Sequence, residues 1–462
     1  MLTAVARLGT ARASPLPSLS APAATVSTAA AARFDSVARS AFPHLRTEQR
    51  LRWTHFIDGR FDAPSECSGW APVMAPATDE VLGEASFGDA STVHRASAAA
   101  RRAAPAWRRD GERRGRVLTR LADALERHSS DLALLETADT GKPLSAAERD
   151  VLESARCFRF FAGWADKIAG RLPATAAPYS TTVRREPLGV VGLVTPWNYP
   201  IMMAAWKLAP ALAAGNTVVI KPSEHTVLTT LALCALMVDE QCGVPAGVCN
   251  AVLGEGVDVG RAMALSPSLD KLSFTGSLRA GRDVLASSAA SNLKPVTLEL
   301  GGKSALVVMP DADMARAVEQ AAGAIFYNAG QSCTAGSRLF LHESIHDEFV
   351  ARLVAHTQQR YQPNDPYARD TVLGSMITPQ ALQRTLQFVQ SLHDEGARLE
   401  CGGARHGTVG SFMQPTIFSG CRDDMHAARE EIFGFAVFYY DYDYYYYYYS
   451  YYYHYCYCYI CI

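Results

Sequence analysis

From residue 189 onward the chain alternates short, mostly apolar runs with helical stretches, and this pattern constrains the fold more than any other feature. The runs fall at 189–194, 217–220, 248–253, 271–274 and 296–300. Strands of four to six residues separated by helices predict a parallel sheet covered on both faces. The same texture continues with strands expected at 305–309 and 337–342 and a helix over 345–359. Upstream, residues 91–137 carry helical periodicity through Val117, Leu118, Leu121, Leu125 and Leu132, and Asp139-Thr140-Gly141-Lys142-Pro143 ends it with a turn signal. Residues 179–187, polar and alternating, read as an exposed hairpin strand. The fold class is therefore α/β: a Rossmann-like parallel-sheet domain, a second α/β domain and a small β-hairpin. A chain of 462 residues is long enough for that division.

Both ends depart from this texture. Residues 1–34 contain Arg7, Arg12 and Arg33, abundant Ala and Ser, and no acidic residue. This suits a cleaved transit peptide, mitochondrial rather than plastid, with a disordered leader of a cytoplasmic protein as the alternative. At the other end, fifteen of the twenty tyrosines crowd between Tyr439 and Tyr459. Such a run cannot specify a packed core and resembles a translated simple repeat. The expected division is a leader over 1–45, a cofactor domain over 46–175 and 189–298, a hairpin over 176–188, an incomplete catalytic domain over 299–438 and a tail over 439–462.

Composition removes several classes. The net charge is −2, which argues against nucleic-acid or anionic-membrane partners. The longest apolar run, 228–238, is too short to span a bilayer. Eleven cysteines without metal-type spacing point to neither a metal site nor a disulfide framework.

Parallel sheets bind ligands beyond the carboxyl ends of their strands, and four segments fall there. In Thr195-Pro196-Trp197-Asn198-Tyr199-Pro200, Asn198 stands where a helix begins, free to donate from its amide or simply to cap. Lys221 and Glu224 follow a strand and could grip a ribose diol, or be ordinary loop charges. Gly276 and Ser277 open a helix where backbone N–H groups can hold a pyrophosphate. Glu299 ends a strand before Gly301 and Gly302, and Cys333 lies in the small-residue loop Gly330-Gln331-Ser332-Cys333-Thr334. A free thiol is only about three per cent ionised at neutral pH unless a helix end or cation lowers its pKa. Cys67, Cys157, Cys234, Cys242, Cys249, Cys401 and Cys421 read as small core residues.

In order, TPWNYP, WKLAPALAAGNTVVIKPSE, FTGS, ELGGKS, GQSCTAGSR and EEIFG resemble the NAD(P)-dependent aldehyde dehydrogenase superfamily, from about Phe56 to Gly434. The resemblance implies Cys333 as nucleophile, Glu299 as general base, Asn198 as oxyanion donor and Lys207 as a lysine near the reacting groups. It implies cofactor contacts at Trp197, Lys221, Glu224, Gly256, Gly276, Ser277, Glu431 and Phe433. A partly buried Glu299 would have a raised pKa, and a glutamate at 224 would favour NAD over NADP. Tyr199, Met203 and Trp206 share a helix face that would line the aldehyde tunnel, as a cation–π cradle or a greasy wall. Homodimers or homotetramers are the family expectation. Phe435 stands where the family has a proline, and the resemblance is expected to stop there, leaving the oligomerisation strand absent. An inactive truncated paralogue that at most binds nucleotide, and an enzyme passing its acyl group to coenzyme A, are the alternatives to aldehyde oxidation.

Overall fold

The computed structural model describes residues 28–42, 51–67, 69–238, 241–434 and 436–442. Its central sheet has seven strands in the order Val296–Leu300, Lys271–Gly276, Val190–Val194, Thr217–Lys221, Cys249–Ala251, Phe56–Ile57 and Arg60–Phe61. The first five run parallel; the last two join antiparallel. The middle strands are buried along their whole length, which is why they read as unbroken apolar runs. Each fully buried Val or Leu there contributes about 1.5–3 kcal/mol.

Val190–Val194 is the turning point. The strands that follow it first add on one side, then the chain returns and adds Lys271–Gly276 and Val296–Leu300 on the other. A crevice opens at the carboxyl ends of Val190–Val194 and Lys271–Gly276, the usual ligand position in a doubly wound sheet.

A second sheet orders Ala305–Val308, Arg338–His342, Ala436–Tyr442, Thr416–Ser419 and Arg398–Cys401, with its own core around Phe326, Phe349, Leu353 and Phe418. A three-stranded sheet of Arg52–Trp53, Val81–Ser86 and Trp70–Met74 completes the described strands. The helical region over 91–137 resolves into three helices, Ala90–Trp107, Gly111–Arg127 and Ser129–Thr140. Asp89 and Asp110 cap the first two, and Gly141, with φ +73°, ends the third.

Three expectations change at the margins. Residues 28–42, placed in the leader, include the helix Thr28–Ala41, whose Phe34, Val37 and Ala38, together with Phe42, are buried in the main core. Amphipathic spacing of these apolar residues drives that docking, and the alanine-rich composition conceals it. The hairpin strand at 179–187 reduces to one pair of backbone hydrogen bonds between Arg171 and Val183, with Leu172, Tyr179 and Val183 exposed. The tyrosine run also begins inside the fold, because the backbone of 439–442 pairs with Leu339, Phe340, Leu341 and His342. Backbone pairing needs no side-chain pattern, so composition could not mark that boundary. The rest of the tail and residues 1–27 lie outside the described residues.

Candidate active site

Asn198 and the loop that carries Cys333 come from different halves of the chain and are joined by hydrogen bonds. Asn198 follows the central strand and is buried, just before the helix Pro200–Ala213 that Pro200 starts. Its Nδ2 donates to the Gln331 carbonyl at 2.9 Å. Asn328 Nδ2 donates back to the Asn198 carbonyl at 3.0 Å and to the Gln331 carbonyl at 3.2 Å. The loop between them turns through three left-handed residues, Asn328, Ala329 and Gly330, at φ +51°, +60° and +70°. The Gln331 side chain secures that turn, donating to the Asn328 carbonyl and accepting from the Ile377 N–H at 2.9 Å. Two non-glycine residues held in this region are strained, and the buried amide network holds them there.

Cys333 is the exposed cysteine among the eight described; Cys234, Cys242, Cys249 and Cys421 are buried and Cys67, Cys157 and Cys401 partly so. Burial of its sulfur pushes the Cys333 thiol up, and Glu431 and Glu299 push the same way, against its own and the Thr334 N–H. No helix end or cation offsets them. The thiol therefore keeps its proton at neutral pH, and attack requires a proton acceptor.

Glu299 sits near the end of the edge strand Val296–Leu300 and is exposed, so the partly buried carboxyl expected there is not found. An edge strand has a neighbour on one side, which leaves its outer positions open. The glycines after it have steric duties. A Cβ on Gly301 would stand 1.8 Å from Glu431 Oε2, and one on Gly302 would stand 3.6 Å from the Cys333 carbonyl oxygen. Glu431 Oε1 accepts from the Gly302 N–H at 3.2 Å, and burial raises its pKa. Lys207 Nζ donates to Ser273 Oγ at 2.8 Å; burial lowers it to about 8, with Glu299 pulling the other way.

Of the expected cofactor contacts, Lys221, Gly276 and Ser277 lie at or just beyond the carboxyl ends of parallel strands. Lys221 is buried at its strand end, its Nζ donating to Glu224 Oε2 at 3.1 Å and to the Pro222 carbonyl at 3.0 Å. Burial lowers the Lys221 pKa; burial would raise Glu224, but Lys221 outweighs it and holds Glu224 below its ordinary value. Glu224 borders a cavity of about 170 Å³ with Phe87, His225, Leu253, Gly254 and Glu255. Gly256 is exposed with open space where a Cβ would stand, as a backbone approached by a ligand requires. Ser277 caps the helix Leu278–Ala289, accepting from the Ala280 N–H at 3.3 Å, so its hydroxyl has a structural duty. Trp197 meets Phe433 edge to face at 5.2 Å.

The tunnel face divides. Tyr199 is buried, Met203 half-buried and Trp206 53% exposed. Tyr199 stacks on Tyr327 at 6.3 Å, and Lys142 Nζ lies 4.8 Å from its ring centroid. The cation–π face of Tyr199 is thus taken by a lysine of the chain, and Tyr199 and Trp206 form no cradle for a ligand cation. Sequence reasoning missed Gln331, Asn328, Tyr327 and Lys142 as parts of the site. Their partners are up to 177 residues away in the chain, and no local pattern distinguishes them.

One histidine links the cavity to pH. His55 is buried and accepts the Leu253 N–H on Nδ1 at 3.1 Å; burial lowers its pKa to about 4, against Asp62. The unfolded chain takes up that proton near pH 6.5, so between about 6.5 and 4 it binds more protons and stability falls with pH. The loss is on the order of 3 kcal/mol. Urea midpoints at pH 7 and 4.5 should show this drop, and His55→Asn should flatten it; an equal drop in the variant assigns it elsewhere.

A doubly wound sheet whose central strand leads to a buried amide bonded to the loop of an exposed thiol is the framework of a nucleotide-binding α/β protein. The chain matches the Aldehyde dehydrogenase family over residues 64–443, and it belongs to that family. The match continues past Gly434, where the resemblance was expected to stop. The chain is 44% identical over 382 residues to aldehyde dehydrogenase family 2 member B4, mitochondrial, of Arabidopsis thaliana, covering 82% of this chain and 70% of that protein. To retinal dehydrogenase 2 of Homo sapiens it is 45% identical over 375 residues, 80% and 72% of the two chains. Among solved structures, PnpE from Pseudomonas sp. WBC-3 in complex with nicotinamide adenine dinucleotide superimposes with a TM-score of 0.81 at 40% identity, over 85% of this chain and 80% of that one. Among the described residues no helix is long and apolar enough to cross a membrane, and no acidic, His and Cys cluster could hold a metal.

Proposed function

We propose that the chain oxidises a small aldehyde to its carboxylic acid, with NAD as hydride acceptor, through a thiohemiacetal and a thioester on Cys333. The observation that carries this is the Asn198 amide bonded to the Cys333 loop at the Gln331 carbonyl, beside the crevice. The second Asn198 N–H and the Cys333 backbone N–H are then available to the oxyanion that forms when sulfur attacks the carbonyl carbon. Glu299 takes the thiol proton first and releases it to solvent; later it takes a proton from the water that cleaves the thioester and returns it to the leaving sulfur, releasing the acid and restoring the thiol. Lys207, its pKa lowered by burial to about 8, stays mostly protonated at neutrality near the reacting groups.

The residues present fit NAD. Lys221 and Glu224 would hold the adenosine ribose, and the backbone at Gly256, Gly276 and Ser277 the pyrophosphate. Trp197, Glu431 and Phe433 would hold the nicotinamide end. When bound, the nicotinamide accepts the hydride that leaves the tetrahedral carbon. The Glu224 carboxylate would repel a 2′-phosphate, so kcat/KM with NAD should exceed that with NADP by about tenfold or more, and Glu224→Ser should narrow the ratio. Equal efficiency of the unmutated chain with both would refute this assignment.

NADH formation at 340 nm with propionaldehyde tests the function, and product analysis with and without coenzyme A tests thioester hydrolysis. An inert chain, or an acyl-coenzyme A product, overturns the corresponding part. We also infer a mitochondrial destination from the acid-free, arginine-bearing leader. Because the helix Thr28–Ala41 belongs to the core, cleavage must fall before it; a mature N-terminus beyond residue 28 would contradict this. Exposed Phe160, Trp164, Leu172 and Tyr179 support a homodimer or homotetramer.

A further inference from the structure

Lys142 lies in the turn after the helix Ser129–Thr140 and is buried beside two carboxylates. Its Nζ donates to Asp150 Oδ2 at 2.6 Å and to Glu136 Oε1 at 3.2 Å, and the Thr229 hydroxyl donates to Glu136 Oε2 at 2.6 Å. All three charged side chains are at most 4% exposed. Charges taken so far out of water carry a desolvation cost that apolar residues of the same size would avoid. Filling space does not explain them.

What the cluster touches does. The Lys142 ammonium faces the ring of Tyr199, the neighbour of Asn198. Asp150 Oδ1 lies 3.5 Å from the hydroxyl of Tyr327, which stacks on Tyr199 and opens the left-handed turn at Asn328. The adjoining Gly141 carbonyl accepts from the Ser375 N–H at 3.0 Å, two residues before the Ile377 N–H that secures Gln331. A Cβ on Gly141 would stand 2.0 Å from Ser375 Oγ, so the approach is close. The turn at Lys142 and Asp150 on the helix after it therefore hold the two stacked tyrosines, one beside Asn198 and the other at the start of the loop of Cys333.

We propose that Lys142, clamped by Glu136 and Asp150, is a positioning residue that aligns Asn198 with Cys333 by holding Tyr199 and Tyr327 from behind. This rests on the aldehyde-oxidation reading above. Its action is indirect: no atom of the cluster reaches substrate. Loss of the ammonium frees the Tyr199–Tyr327 stack and loosens 327–334, displacing thiol and amide relative to each other; shifts near 1 Å at such a site can cost about a hundredfold in rate.

The test uses the full chain with Lys142→Met, the neutralised triple variant Lys142→Met/Glu136→Gln/Asp150→Asn, and Tyr327→Phe. The triple variant removes the orphaned buried charges that could prevent the single variant from folding. With propionaldehyde and NAD, kcat should fall about tenfold or more in the first two, with KM for NAD unchanged within twofold, and by a smaller factor in Tyr327→Phe. Backbone amide exchange over 327–334 should accelerate at least tenfold while that of Val190–Val194 stays as before. A folded triple variant with unmutated kcat and unmutated exchange over 327–334 overturns the proposal. An unmutated chain that makes no NADH would instead sink the aldehyde-oxidation reading, and the exchange measurement alone would still decide whether Lys142 positions the loop.

Discussion

Cys333→Ser should lower kcat/KM for aldehyde oxidation by about three orders of magnitude or more while leaving the fold and NAD binding intact. Cys333 is exposed, its side chain belongs to no packed core, and a serine differs from it by one atom. Stability should therefore hardly change. A hydroxyl is a far weaker acid than a thiol, and no cation at the site would stabilise its alkoxide. Urea unfolding and NAD fluorescence titration establish that the variant is folded and loaded; NADH formation reads the loss. Retained oxidation at even a tenth of the original rate would remove Cys333 from the mechanism.

Asn198→Ala should cost about a hundredfold or more in kcat. Two effects combine. The amide that would donate to the oxyanion disappears, and so does the 2.9 Å bond that ties the loop to the central strand. The backbone bond from Asn328 to the carbonyl of residue 198 survives the substitution and limits the structural damage. Asn198→Asp separates the two effects, because a carboxylate cannot donate and would also face the Gln331 carbonyl, so it should be at least as impaired as alanine. Wild-type kcat in the alanine variant would show that the oxyanion is held elsewhere.

The sequence also indicates which side chains are unequal. Gly301 lies against Glu431, and a Cβ there would displace the Glu431 carboxylate from its bond to the Gly302 N–H. Cys333 could not be separated from seven other cysteines by its own surroundings in the chain; the company of ELGGKS, TPWNYP and EEIFG selected it, and exposure agrees. By contrast, Trp206 shares a helix face with Tyr199 on paper, yet one is exposed and the other buried. Helical periodicity names a face and cannot say what covers each part of it. Glu299 was expected to be partly buried and lies open on an edge strand, because a strand's neighbours are set by topology and not by its own residues. The tail and leader erred in the opposite direction: composition suggested no structure where backbone pairing at 439–442 and four apolar contacts over 34–42 make some.

Local order in the chain thus determined the strands, their parallel pairing and the residues offered at the carboxyl ends, since a strand buried on both faces must be apolar and a turn must carry turn residues. Only the tertiary structure decided that Asn198 is bonded to the loop of Cys333, that Lys142 stands behind Tyr199, and that the thiol has no cation to ionise it. Those are contacts between segments more than fifty residues apart or burial effects of the assembled core, and neither leaves a periodic trace along the chain.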